Sequence, residues 1–78
     1  MSVIKLTKKL FDRFRWIKPG GNDVINICDK DNTILCYNKF KDMRLIEIFD
    51  YLGQDVIEEQ KFYNEKDKNT IYYITIDK

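Results

Sequence analysis

Proline at position 19, followed by Gly20, Gly21 and Asn22, divides the sequence into two parts with different hydrophobic rhythms. Before the break, Val3, Leu6, Leu10, Phe14 and Ile17 recur at steps of three and four residues, with Ile4 and Phe11 widening the stripe. An α-helix repeats every 3.6 residues, so this spacing predicts a helix over 3–17 with one apolar face. Proline disfavours a helical Lys18, and the glycines permit a sharp reversal after it. Beyond the break the apolar residues alternate. Two β-branched runs, 24–28 and 33–37, flank the polar cluster Asp29, Lys30, Asp31 and Asn32, which predicts a β-hairpin.

A second helix is predicted over 42–52. Asp42 is placed to cap its start, Leu45, Ile48, Phe49 and Leu52 to face inward, and Gly53 to end it. Phe40, just before the cap, is positioned to pack on Ile46. The next stretch supports two readings: Asp55 and Glu58 have the spacing of a capping box, whereas 57–63 suits a charged strand. The strand is preferred, because 70–76 is strongly strand-like and the polar segment 65–69 would join two antiparallel strands. The expectation is one α+β domain spanning 1–78, in the order α-β-β-α-β-β, with an antiparallel sheet and both helices on one of its faces.

A chain of 78 residues has room for one core, and 44% hydrophobic content with 35% charged residues suits a folded domain. No apolar run approaches the roughly 20 residues that cross a bilayer, the start lacks the apolar stretch of a signal peptide, and two cysteines are too few to staple a secreted scaffold. These features predict a soluble, cytoplasmic protein with no membrane association. The net charge of +1 conceals an asymmetry. Residues 1–22 carry six basic side chains and a single acid, Asp12, a balance of +5, and the remainder carries −4. A basic element on an acidic body can steer a charged partner or be neutralised within the fold.

The chain contains no histidine, which removes the commonest general base and every Ser-His or Cys-His arrangement. Cys28 and Cys36 lie eight positions apart, without the spacing of a zinc site, and are read as small core hydrophobes. A four-residue hairpin loop would point them to opposite faces, and an odd loop would put them on one face. Asp29 to Asn32 begins like a calcium loop, but the sixth position is Ile34 instead of glycine and the twelfth is Phe40 instead of glutamate, so a hairpin turn explains it. Glu58 and Glu59 are adjacent on the predicted strand and point apart, which does not suit a shared magnesium ion. Gly20 and Gly21 lack the lysine and hydroxyl of a phosphate loop. The expectation is therefore a non-catalytic protein with no metal and no cofactor.

The candidate binding residues are Trp16, Glu58, Gln60 and Tyr73. Laid out at about 100° per residue, the first helix places Trp16 away from the apolar stripe, near Lys5, Lys9 and Arg13, with Asp12 alongside. Tryptophan and arginine often anchor interfaces. The alternative is a helix that frays before Pro19 and turns Trp16 inward over the sheet edge. Tyr73 and Thr75 are expected on the open face of the sheet beside Glu58 and Gln60, where tyrosines interleaved with carboxylates suit a basic protein surface, including one that normally holds nucleic acid. A second hypothesis is a nucleic-acid-binding module that uses Lys5, Lys8, Lys9 and Arg13 of the first helix.

A small chain rich in Lys, Asn, Ile and Tyr, without a catalytic set, a metal site or an address signal, resembles in type the accessory proteins of phages and mobile elements, the anti-CRISPR inhibitors among them. These commonly occupy a surface of a host complex. The resemblance carries no motif and transfers no residues. It implies an inhibitor or regulator of a host nucleic-acid-handling complex, with a protein or a protein–nucleic acid complex as partner, and it leaves direct nucleic-acid contact and self-association open.

Overall fold

The structure, a computed structural model, describes residues 9–78 of the chain. The part of the first predicted helix that falls on 3–8, with Lys5 and Lys8, lies outside them. Helix α1 spans Leu10–Ile17. The predicted helix does not continue through Lys9, whose backbone is extended (φ −80°, ψ 154°) and bridged to Asp55. The reason is that the first helical N–H groups have partners outside the helix. Leu10 N–H donates to the Gln54 carbonyl (3.0 Å) and Phe11 N–H to that of Leu52 (3.1 Å), and Lys9 Nζ meets Asp55 Oδ1 at 2.8 Å. At the other end the reversal falls on Lys18, which adopts the left-handed conformation (φ 46°) while its N–H donates to Phe14 O. Neither glycine of the Pro19 break has a positive φ. Asp23 holds this loop to the sheet, accepting from Gly20 N–H and Thr70 N–H, both at 2.8 Å.

The other elements are β1 (Val24–Cys28), β2 (Ile34–Lys39), a 3-10 turn (Phe40–Asp42), α2 (Leu45–Ile48), β3 (Val56–Asn64) and β4 (Asn69–Ile76). The segment that supported either helix or strand is thus strand β3. The four strands form one sheet in the order β2-β1-β4-β3. β1 with β2 and β3 with β4 are antiparallel hairpins, but β1 and β4 pair in parallel, so the sheet is mixed and not the antiparallel sheet expected. The two most deeply buried strands take the centre. The charged strand β3 and the half-exposed β2 take the edges.

Alternation assigns the faces. Ile25 and Ile27 of β1 lie beside Tyr72 and Ile74 of β4, and with Ile76 they form the core with Leu10 and Ile48. Phe14 and Ile17 of α1 and Met43, Tyr51 and Leu52 around α2 pack against it. Helix α2 is a single turn, shorter than expected, and it begins after Arg44, whose N–H reaches Glu47 Oε2 at 3.4 Å, so Asp42 is not its cap. One turn can bury only one stripe. Ile48 is buried and Leu52 half-buried, whereas Leu45 and Phe49, both expected inside, are 66% and 61% exposed. Phe40 packs on Phe14, with ring centroids 5.9 Å apart, and not on Ile46, which is exposed. Cys36 lies opposite Ile27, toward the core, and Cys28 opposite Ile34, on the other face. Both thiols are free.

Candidate binding surfaces

The face of the sheet away from this core carries three rows of side chains, read across β2, β1, β4 and β3 from the pairing register. The first is Lys39, Val24, Ile71 and Phe62. The second is Tyr37, Asn26, Tyr73 and Gln60. The third is Ile34, Cys28, Thr75 and Glu58. Of the inner positions, Asn26, Cys28 and Thr75 are buried, with the Asn26 amide donating to Tyr72 O (3.2 Å), and Val24 and Ile71 half-buried, while Tyr73 and the outer ones stand proud. Tyr37 is 69% exposed and Phe62 and Ile34 about half exposed. Tyr73 is 38% exposed and meets Phe62 edge-on at 5.8 Å.

Over Thr75 and Cys28 this arrangement leaves a groove of about 270 Å³, with Glu58, Gln60 and Tyr73 on the β3 side and Asn32 and Ile34 on the β2 side. Gln60 Nε2 donates to Glu58 Oε1 (2.9 Å), which orients the carboxylate beside the tyrosine. Three of the four sequence-derived binding residues, Glu58, Gln60 and Tyr73, therefore share one surface. Tyr37, Phe62 and Ile34 belong to it as well. Their alternation was visible in the sequence, but their membership depends on the strand order.

Trp16 is elsewhere. It is 78% exposed on the flank of α1 and stands between two open concavities. One is shared with Asp12, Arg15 and Lys18, the other with Arg13, Ile17, Glu59, Lys61 and Tyr72 and, at the rim of the edge strand, Gln60. Of the basic residues considered for nucleic-acid binding, Lys9 is paired with Asp55, and Arg13 makes a two-pronged contact with Glu59, Nε to Oε2 at 2.6 Å and Nη2 to Oε1 at 3.0 Å. The hydrogen bond to Glu59 raises the Arg13 pKa further, against a smaller opposing effect of burial. Lys5 and Lys8 lie outside the described residues. A third, largely apolar concavity of about 280 Å³ lies between the helices, bordered by Phe11, Phe40, Met43, Leu45 and Arg15.

Burial raises the Cys28 and Cys36 thiols above their ordinary range, with Asp29 and Glu47 adding to the respective effects. Such thiols stay protonated and are poor nucleophiles. Among the described residues no group of three or more Cys, Asp and Glu side chains is placed to hold a metal ion, and no helix is long and apolar enough to cross a membrane. Comparison with known proteins returns no match: no family model, no curated protein and no solved structure is similar to the chain.

Proposed function

We propose that the chain is a non-catalytic binding protein that seats the open face of its sheet on a basic protein surface, and that the surface belongs to a host nucleic-acid-handling complex which it inhibits or regulates. The observation that carries the reading is the exposure of Tyr37, Tyr73 and Phe62 on one sheet face, with Gln60 and Glu58 following Phe62 along the edge strand of that face. Aromatic rings supply rigid contact area at low entropic cost, and a carboxylate beside them selects arginine or lysine from the partner. In this reading both helices cover the opposite face, leaving the aromatic one for the partner. The absence of histidine and the inert thiols support a role in binding over one in catalysis.

The test is affinity capture from nuclease-treated host lysate with wild-type protein, Tyr73→Ala and Glu58→Lys. A captured protein lost with both substitutions, at unchanged circular dichroism, supports the assignment. Equal capture by all three proteins refutes it.

A further inference from the structure

We propose that Trp16 and the cations around it form a binding site for single-stranded nucleic acid, bordering the sheet-face groove only at Gln60, in which the indole stacks on a base while Arg15, Lys18 and Lys61 pair with phosphates. The only tryptophan of the chain is 78% exposed on the flank of α1 away from Leu10 and Phe14. Water on both faces of an indole is unfavourable, and a base offers a flat surface that removes it.

The charges around the ring are not consumed by the fold. The ion pairs among the described residues are Lys9 with Asp55, Arg13 with Glu59 and Lys30 with Asp77, so Arg15, Lys18 and Lys61 take part in none of them. Arg15 and Lys18 line the concavity of about 900 Å³ on one side of Trp16, and Lys61 lines the one of about 520 Å³ on the other. The nearby carboxylate of Glu59 is neutralised by Arg13, which leaves Asp12 as the acid facing the first concavity.

An aromatic ring with cations on both flanks matches the alternation of base and phosphate along a single strand. A duplex keeps its base faces stacked on one another, and an acidic peptide offers phosphate-like charge without the ring. The cations around the ring meet phosphate, and stacking on an indole tolerates any base, so the site discriminates little between bases. It is also distinct from the Lys5, Lys8, Lys9 and Arg13 set, of which Lys9 and Arg13 are already paired.

Because Trp16 is the single indole, its emission reports occupancy of this site alone. The intact protein is titrated with a short oligothymidylate at low salt. The expected result is saturable quenching, with a log affinity that falls against log salt at a slope of about −2, as three phosphate contacts on a single strand give. Measured by anisotropy of a labelled oligothymidylate, Trp16→Ala weakens binding about tenfold or more, Lys18→Glu and Lys61→Glu each weaken it, and Tyr73→Ala does not. All four side chains are exposed or partly so, and circular dichroism confirms that the variants fold. Absence of quenching overturns the proposal. So does competition by polyaspartate as effective as that by oligothymidylate at equal charge, which would show a site that reads charge and not bases. Either failure leaves the sheet-face assignment standing, since that is tested with Tyr73 and Glu58 in nuclease-treated material.

Discussion

Truncating Ile74 to alanine tests the centre of the fold most directly. Ile74 lies in β4 with Ile27 beside it on the parallel side and Glu59 on the antiparallel side, and its side chain is fully buried. Ile74→Ala removes buried methylene and methyl groups and leaves a cavity that a central strand cannot collapse around, a loss of about 3–4 kcal/mol. A domain of 78 residues has a total stability of about 4–12 kcal/mol, so the variant loses a large share of it. With a urea dependence of about 1 kcal/mol per molar for a chain of this size, the denaturation midpoint drops by about 3 M. Far-ultraviolet circular dichroism is the appropriate probe, because exposed Trp16 reports little on folding. Phe49→Ala is the control. The ring has the size and helical position of a core residue, but it is 61% exposed, and its loss shifts the midpoint by less than about 1 M. A midpoint for Ile74→Ala within 1 M of wild type, or an equal loss for Phe49→Ala, would refute the packing derived from the pairing register.

Glu59→Gln keeps the shape of the side chain that joins β3 to α1 but removes the charge that holds the Arg13 guanidinium, and it should lower stability by about 1–2 kcal/mol in the same urea assay, with the difference shrinking in high salt; no change would show that the pair contributes nothing to docking the helix. The pH dependence follows from Cys28, Cys36 and Tyr72, whose pKa values are raised, in each case mainly by burial. The unfolded chain releases these protons first, so the stability is fully present below the ordinary thiol and phenol values of about 8.5 and 10 and is lost as pH rises through the raised folded values. The urea midpoint should fall from pH 8 to pH 10, and the double variant Cys28→Ala, Cys36→Ala should flatten the thiol part of that slope; an identical slope in the variant would contradict the assignment.

What the sequence made legible was local. Alternation in 24–28, 70–76 and 57–63 located β1, β4 and β3, and the parity of β3 and β4 was enough to put Glu58, Gln60 and Tyr73 on one face. The parallel pairing of β1 with β4 was not legible, because it joins residues about 47 positions apart and no turn encodes it. Tyr37 and Phe62 stayed hidden as binding residues for the same reason, since they share a surface only after the strand order is known. Helix α2 was misread because 45 with 49 and 48 with 52 are equally good four-residue pairs, and only the tertiary position of a one-turn helix decides which pair is buried. The helical layout did place Trp16 away from the core with Arg13 and Asp12 near it, but it could not show Lys61, which arrives from β3.

Strand β3 links the two proposed sites and gives them opposite electrostatic preferences. Its alternation sends Glu58 and Gln60 to the open face of the sheet and Glu59 and Lys61 to the helix side. Arg13 then neutralises Glu59, leaving Lys61 as the free charge on that side, with Arg15 and Lys18 nearby. Among the described residues, one flank of a single edge strand therefore carries an unpaired carboxylate and the other an unpaired cation, the charges the two proposals assign to a cationic and an anionic partner. A basic protein with single-stranded nucleic acid emerging from it presents both charges side by side. If both proposals hold, engagement of one site would raise the effective concentration at the other, so two individually weak contacts would give tight binding to the complex without tight binding to either component. Under the proposal for Trp16 the Arg13–Glu59 pair would have a functional as well as a structural consequence, because an unpaired Glu59 would place a carboxylate against the phosphates proposed there.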